Sequence, residues 1–182
     1  DNKGEGASNL GVFVQDELAV GGRVTLLLGA RYDAVAYHYR SFLPNPPVRS
    51  DRRDFRRLTP KLGASVLLGA SHAAYASVGG GIEVPAGNET DPTPGAGPAL
   101  LNPLLDPIRS TSYEIGLKRA GTARLGYDLA LYHIEVADDA IPYSGGRYYL
   151  TAGRGRRQGA ELGVNAESRG GVFGSAAVTV SR

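Results

Sequence analysis

Tyr113-Glu114-Ile115-Gly116-Leu117-Lys118 alternates without a fault: Tyr113, Ile115 and Leu117 fall on one face of an extended strand, and Glu114, Gly116 and Lys118 fall on the other. Such a strand wants an apolar medium on one side and water on the other. In a soluble fold the apolar side needs a second layer to cover it, and few residues of this chain are left over to build one. The medium that fits is a bilayer crossed by β-strands.

The same period runs outward from this stretch in both directions. Val24, Leu26, Leu28, Ala30, Tyr32, Ala34 and Ala36 share one face, while Thr25, Gly29, Arg31 and Asp33 share the other with Leu27 and Val35. Four antiparallel hairpins are expected, each closed by a very short turn. The first joins residues 10–20 to 23–40 around Gly21-Gly22, a pair that accepts positive φ at no steric cost. The others join 58–68 to 72–84 around Gly69-Ala70-Ser71, 111–118 to 124–136 around Ala120-Gly121-Thr122, and 148–167 to 172–181 around Arg169-Gly170-Gly171. Segment 124–136 phases less cleanly, since Leu129, Leu131, His133 and Glu135 share a face, and a bulge could re-phase it.

The connections at the opposite end are of another kind. Residues 41–55 hold three prolines, 85–110 hold six, and a shorter connection covers 138–147. Short turns at one end and long Pro/Gly-rich loops at the other is the asymmetry of an outer-membrane barrel. The 85–110 loop is long enough to be suspected of function, and its run Asn88-Glu89-Thr90-Asp91-Pro92-Thr93-Pro94-Gly95 is turn-forming and solvated.

Composition agrees and excludes rivals. The 182 residues include 26 Gly and 11 Pro but no Cys, Met or Trp, which rules out a disulfide framework or a cysteine-based metal site. The 20 basic and 18 acidic residues are interspersed, giving a net charge of only +2, which argues against a nucleic-acid partner. No run of 18 apolar residues exists, so a membrane-spanning helix is excluded. With Asp1 at its start and no leader pattern, the chain reads as a mature or truncated product.

The order of particular phrases carries a family resemblance. Gly11-Val12-Phe13-Val14-Gln15-Asp16-Glu17-Leu18 is followed after one hairpin by Gly29-Ala30-Arg31-Tyr32-Asp33. Thr59-Pro60-Lys61-Leu62-Gly63 then leads to Ala74-Tyr75-Ala76-Ser77-Val78-Gly79-Gly80-Gly81-Ile82-Glu83-Val84-Pro85. Ser112 to Lys118 comes next, with Tyr132-His133-Ile134-Glu135-Val136 and Ile141-Pro142 behind it, and Ala152-Gly153-Arg154-Gly155-Arg156-Arg157-Gln158-Gly159-Ala160-Glu161-Leu162 closes the series. In this order the phrases resemble the β-barrel of TonB-dependent outer-membrane receptors over nearly the whole chain.

The resemblance implies an all-β antiparallel transmembrane barrel of about 22 strands, filled by a separate N-terminal plug. Residues 1–182 would be a partial barrel domain of about eight strands, since no plug-like segment, energy-coupling box or terminal aromatic strand is found. It further implies a bacterial outer-membrane importer of a scarce nutrient, most often a ferric siderophore, with cobalamin, haem and other small compounds as alternatives. Its partners would be outer-membrane lipid and lipopolysaccharide, the parent's plug domain, the TonB energy complex acting through that plug, and the iron chelate. The rival readings are an eight-strand barrel closed on itself, serving as a pore or structural anchor, and an eight-strand outer-membrane enzyme.

Candidate residues come with two readings each. Arg49, Arg52, Arg53, Arg56 and Arg57, interrupted by Asp51 and Asp54 at the end of an outer loop, could hold an anionic ligand or lipopolysaccharide phosphate through bidentate guanidinium contacts, or could be a solvated loop neutralised by its own aspartates. Arg154 and Arg156 share a face that belongs to the lumen or the rim, near Arg157. Tyr37, His38, Tyr39 and Phe42 sit where strand two leaves the membrane and suit an interfacial girdle, although Tyr37 and Tyr39, on the side of Arg31 and Asp33, could contact a ligand. Tyr143, Tyr148 and Tyr149 carry the same ambiguity. The expected ligand-contacting set is therefore Tyr37, Tyr39, Arg52, Arg53, Arg147 and Arg154. The expected polar inner wall is Arg31, Asp33, Glu114, Lys118 and Glu161, with Gly63, Gly116 and Gly159 as small positions beside a bulky occupant.

Catalysis is not expected, nor a metal or cofactor. His38, His72 and His133 have no ligand spacing, and His133 with Glu135 lacks a third partner. Asp138-Asp139 is expected in a turn, where aspartate serves the backbone. Gly79-Gly80-Gly81 and Gly153-Arg154-Gly155 precede no helix signal, so neither cradles phosphate, and no Gly-x-Ser-x-Gly elbow occurs.

Overall fold

The structure, a computed structural model, describes residues 3–44, 50–86, 89–91, 100–119 and 124–182. Eight strands follow one another: β1 (Lys3–Val20), β2 (Val24–Ser41), β3 (Ser50–Leu67), β4 (His72–Glu83), β5 (Ile108–Arg119), β6 (Leu125–Tyr143), β7 (Tyr148–Glu167) and β8 (Phe173–Ser181). Each pairs antiparallel with its sequence neighbour in a single meander, so β1 and β8 form the two edges and the sheet does not close on itself among the described residues.

The turns follow the glycines. Gly21 and Gly22 take φ of 58° and 70°, Gly69 takes 88° and Gly171 takes 78°, values an L side chain adopts only under strain. The expected turn at Ala120-Gly121-Thr122 lies outside the described residues, as do Arg49, Asn88 and the Pro92-to-Gly95 part of the loop run.

Register turns the alternation into two continuous surfaces. On one, the ladders align Leu28 with Leu62, Leu62 with Val78, Val78 with Tyr113, and Leu129 with Leu162. This surface stays uncovered: Val14 is 69 % exposed, Leu62 48 % and Ile115 57 %, which only an apolar solvent makes tolerable. On β3 its apolar part runs from Leu58 to Val66, nine positions that match a bilayer-crossing strand of about 9–11 residues. Tyr32 and Tyr113, at the end of the apolar run nearer the long loops, supply the aromatic positions of this face.

The other surface carries Arg31, Asp33, Glu114, Lys118 and Glu161, tied to one face by the pairs Arg31 with Thr59, Lys61 with Gly79, Gly79 with Ser112, Glu114 with Tyr132, and Lys118 with Asp128. Glycines let its large side chains lie flat. A Cβ on Gly116 would fall inside the Tyr75 ring, and one on Gly159 would meet the Tyr132 ring, while Gly63 sits against Leu27. The Lys118 ammonium lies 5.5 Å from the Tyr75 ring centre, a cation–π contact that helps to fix the ring. Gly116→Val is expected to lower stability by about 1–3 kcal/mol, an overpacking cost. Adding Tyr75→Ala should restore part of the loss, and denaturant midpoints of the purified receptor in the four-member cycle measure that coupling.

Four strands run longer than the sequence suggested, β5 by three residues at its start and one at its end and the other three by seven or more. β1 extends back to Lys3, and β3 starts at Ser50, so the expected 41–55 loop shrinks to 42–49 and Arg52, Arg53, Arg56 and Arg57 are strand rather than loop. The reason is that β2 supplies a ladder up to the Arg40–Ser50 pair, and above the lipid both faces of a strand are charged, which hides the period. β6 likewise runs to Tyr143, leaving Ser144, Gly145, Gly146 and Arg147 as the outer turn. The Asp138-Asp139 pair is therefore a β-bulge within β6, not a turn: the register shifts there, and Asp138 takes φ of 60°, a conformation aspartate tolerates better than most residues. Between Leu125 and Ala137 the register is unbroken, so Leu129, Leu131, His133 and Glu135 stay on the apolar-run face.

Candidate functional site

The long-loop end of the polar face holds most of the buried residues among those described. Leu105 and Asn102 are 1 % exposed and Leu101 4 %, although all three lie in the connection between β4 and β5 rather than in a strand. Leu101 packs with Val35, Tyr37 and Phe55 of β2 and β3, and Tyr39 and Val84 border the cluster. Tyr37 and Phe55 meet edge to face at 5.9 Å between centroids. Residues 100–107 of the connection thus fold down as a strap against the inner face, and the apolar underside of that segment is what makes it stay.

Polar contacts fix the strap at both ends. On β3, the Asp51 carboxylate accepts the backbone N–H groups of Leu100 at 2.9 Å and Leu101 at 3.0 Å, and Arg53 donates to the Asn102 carbonyl at 2.5 Å. Tyr37 donates its hydroxyl proton to the Pro85 carbonyl. On β7, the Tyr149 carbonyl accepts from the Asn102 side-chain amide at 2.7 Å, while the Thr151 hydroxyl accepts from the Asp106 N–H at 2.8 Å and donates to the Leu104 carbonyl at 2.8 Å. Because β3 and β7 are four strands apart, the strap crosses the concave side of the sheet.

Asp51 is the titratable link in this arrangement. Burial on its own raises its pKa, but that is outweighed by the N–H donors of Leu101, Leu100 and Arg52 and by the Arg53 charge, so the carboxyl sits below its usual range. A folded-state value lowered from about 3.9 contributes stability that is complete above that value and is lost as pH falls through the lower one. The Leu100 and Leu101 amides are therefore expected to stay protected from hydrogen exchange at pH 5–7 and to lose protection below about pH 4. Asp51→Ala should abolish that protection at every pH.

Below the strap the inner face is open. Phe13, Gln15, Arg31, Thr59, Lys61 and Gly79 border a depression of about 480 Å³. Phe13 is 72 % exposed there, an aromatic ring presented to water beside two cations. Arg31 is held by Asp33 through Nε at 2.9 and 3.0 Å, with Asp33 itself buried. Farther along, Glu114, Tyr132, Arg157 and Glu161 border a second hollow of about 650 Å³ that reaches the β8 edge. Mixed charge over a glycine-smoothed wall suits the passage or docking of a polar object, and it assembles no nucleophile with a base.

The candidate ligand-contacting residues divide between the two faces. Tyr37, Tyr39 and Arg53 lie on the inner face, with Tyr37 buried under the strap and Arg53 engaged with Asn102 and, at 3.6 Å, with Asp106. Arg52 pairs across from His38, and Arg154 across from Ala137, so both stand on the face that carries the apolar run. Of lumen and rim, the register gives Arg154 and Arg156 the rim and gives Arg157, opposite Ile134, the lumen side. Arg147 ends the outer turn between β6 and β7. The expected girdle does not include Tyr37: its ring is core, and Tyr32 and Tyr113 occupy the outward aromatic positions. Phe13, Tyr75 and Asn102 were not expected at the site from the sequence, and Asp51, expected only to neutralise its neighbouring arginines, instead accepts the Leu100 and Leu101 N–H groups. An alternation count could have placed Phe13 and Tyr75 on the inner face, but nothing local marks Asn102.

Comparison with known proteins adds the context. A family model described as "TonB dependent receptor-like, beta-barrel" matches residues 1–181. Among solved structures, the chain resembles the ferric yersiniabactin uptake receptor FyuA from Yersinia pestis at 20 % identity and a TM-score of 0.77, covering 99 % of this chain and 27 % of that one. It resembles the ferric-catecholate import receptor Fiu from K12 E. coli at 18 % identity and a TM-score of 0.73, covering 98 % and 28 %. The copper transporter OprC follows at 20 % identity and a TM-score of 0.75, covering 95 % and 28 %. At such identities these likenesses speak to the fold, and this chain spans little more than a quarter of each structure.

Proposed function

The chain belongs to the TonB-dependent receptor family, as part of its β-barrel, and from that premise we infer that it forms one wall of a gated importer which takes up a ferric siderophore. The family's barrels lie in the bacterial outer membrane and belong to transporters rather than enzymes. The observation that carries the reading is the pairing of a continuous apolar belt with a polar, glycine-smoothed inner face on the same eight strands. Lipid on one side and an aqueous lumen on the other is the condition of a barrel wall.

Two unpaired edges in lipid would each leave a row of backbone groups without partners, at several kcal/mol per group. We therefore assign residues 1–182 to a partial barrel domain, with further strands and a plug supplied by the rest of the parent protein. The plug would rest against the inner wall of Arg31, Glu114, Lys118 and Glu161, and the energy complex of the inner membrane would act on the plug. The strap, with Arg53 and Tyr39 at its border and Arg147 at the neighbouring turn, would form part of the vestibule that cargo meets first.

Iron-chelate cargo is favoured by the uptake functions named for FyuA and Fiu, and the copper function named for OprC is the main competitor. Cells depending on the full-length receptor should accumulate labelled iron from at least one siderophore, and should stop when the inner membrane is de-energised. Uptake of copper with no uptake from any iron chelate would overturn the siderophore assignment. Uptake that ignores de-energisation would overturn gated import.

A further inference from the structure

The wall is notched at its long-loop end. Lys61, Gly79, Ser112, Ile134 and Arg157 form one row across β3 to β7, and from that row β4 and β5 run only four residues further toward the long loops, whereas β6 and β7 run nine and β3 eleven. The β3–β4 ladder itself stops in this row: Pro60, which has no N–H to offer, comes next, and among the described residues positions 50–60 of β3 pair with β2 alone. The outer ends of the β2–β3 and β6–β7 ladders therefore rise on either side of a gap that no sheet pairing closes among the described residues. Residues 100–107 lie across that gap.

Asn102 makes the tie. It is 1 % exposed, and all four of its polar groups are engaged. Its N–H donates to the Thr90 carbonyl at 2.7 Å and its side-chain amide to the Tyr149 carbonyl at 2.7 Å, while its side-chain oxygen accepts the Leu104 N–H at 2.9 Å and its carbonyl accepts Arg53 at 2.5 Å. One residue thus joins β3 to β7. Beside it the Leu104 carbonyl accepts both the Thr151 hydroxyl at 2.8 Å and the Thr151 backbone N–H at 3.2 Å, the second being a main-chain bond of the kind a sheet neighbour makes. Segments that open and close in function are drawn from the least stable parts of a fold, with few buried apolar contacts and solvated hydrogen bonds. This one has the opposite character, since lifting it would bare Leu101 and Leu105 and strand the buried Asn102 and the Asp51 carboxylate's two N–H partners.

We propose that residues 100–107 are a fixed brace with Asn102 as its keystone: the segment replaces the missing β3–β4 pairing, holds the outer ends of β3 and β7 at a set separation, and stays seated while cargo passes. It is wall, not lid. The brace rests on the barrel reading, and only its staying seated during passage rests on the importer reading.

Two measurements on the full-length receptor, otherwise free of cysteine, test it. Spin labels at Arg52→Cys on β3 and Arg154→Cys on β7, exposed positions on the face away from the strap, report the separation of the two outer ends. With the strap intact the distance distribution should be narrow, and Asn102→Ala should broaden it while the heat-modifiable barrel persists. If Asn102→Ala does not assemble a barrel, Thr151→Val, which keeps the bulk and removes one hydroxyl, should broaden it in the same sense. An unchanged distribution on release of the strap overturns the brace. The second measurement locks the strap with Leu104→Cys/Thr151→Cys, two residues already joined through the backbone, in cells given radioactive iron as a ferric catecholate. The oxidised and reduced forms should import at the same rate. Loss of uptake on oxidation that returns on reduction would show that the strap must lift, and would overturn its fixed seat. Absence of uptake in the unlocked parent counts against the importer reading instead, and the spin-label distances then decide the brace alone.

Discussion

Leu62→Arg should cost the barrel about 2–4 kcal/mol, the penalty for an arginine at the lipid midplane. Leu62 is the centre of the nine-residue apolar run on β3 and is 48 % exposed, so no protein layer can screen the new charge. The neighbouring residue provides the control. Lys61 lies on the opposite face, across from Gly29 and Gly79, and Lys61→Arg should change stability by less than about 0.5 kcal/mol. Folding into lipid vesicles, read as the heat-modifiable fraction of the receptor against urea, measures both. Equal effects at the two positions would mean that the faces are not what the register says.

Phe55→Ala is the second large change. Phe55 is 9 % exposed, stacks edge-on against Tyr37, contacts Leu101 of the strap, and carries the Arg53 guanidinium 5.2 Å above its ring. Truncating a buried phenylalanine costs about 3–5 kcal/mol where the site cannot collapse. Here the loss should fall on the strap, because the ladders of β2 and β3 persist without that ring. The expected outcome is proteolytic cleavage and rapid amide exchange within residues 100–107, with the heat-modifiable barrel unchanged. Phe55→Leu should recover most of the protection. If Phe55→Ala instead unfolds the barrel, the cluster is part of the wall and not an anchor for the strap.

The strap is also where sequence reading ran out. Alternation was legible wherever one face is apolar: Tyr113 to Lys118, Val24 to Ala36 and the hairpin glycines all settle into the positions their period dictates. It failed above the lipid, where Asp51, Arg53 and Arg57 alternate with Arg52, Asp54 and Arg56, charge against charge, so a strand looked like a loop. The bulge at Asp138 was misplaced for a related reason, since aspartate pairs serve turns and bulges equally. Asn102 could not have been found at all. Its amide is buried because Leu104 and Tyr149 complete its hydrogen bonds, and the second of these is 47 residues away. Arg52 and Arg53 are adjacent in sequence yet face opposite media, which only a fixed register can tell apart.

The central claim is that one face of these strands meets lipid and the other meets water. Residues 1–182 contain no cysteine, so, in a full-length receptor whose other segments are kept free of cysteine, single cysteines placed one at a time along residues 58 to 66 of β3 can be labelled in outer membranes from either side. The expected pattern alternates strictly: cysteines replacing Thr59, Lys61, Gly63 and Ser65 react with a water-soluble maleimide, whereas those replacing Leu58, Leu62, Ala64 and Val66 react only with a lipid-partitioning reagent. Uniform labelling along the strand, or alternation with the two sets exchanged, would contradict the barrel-wall account.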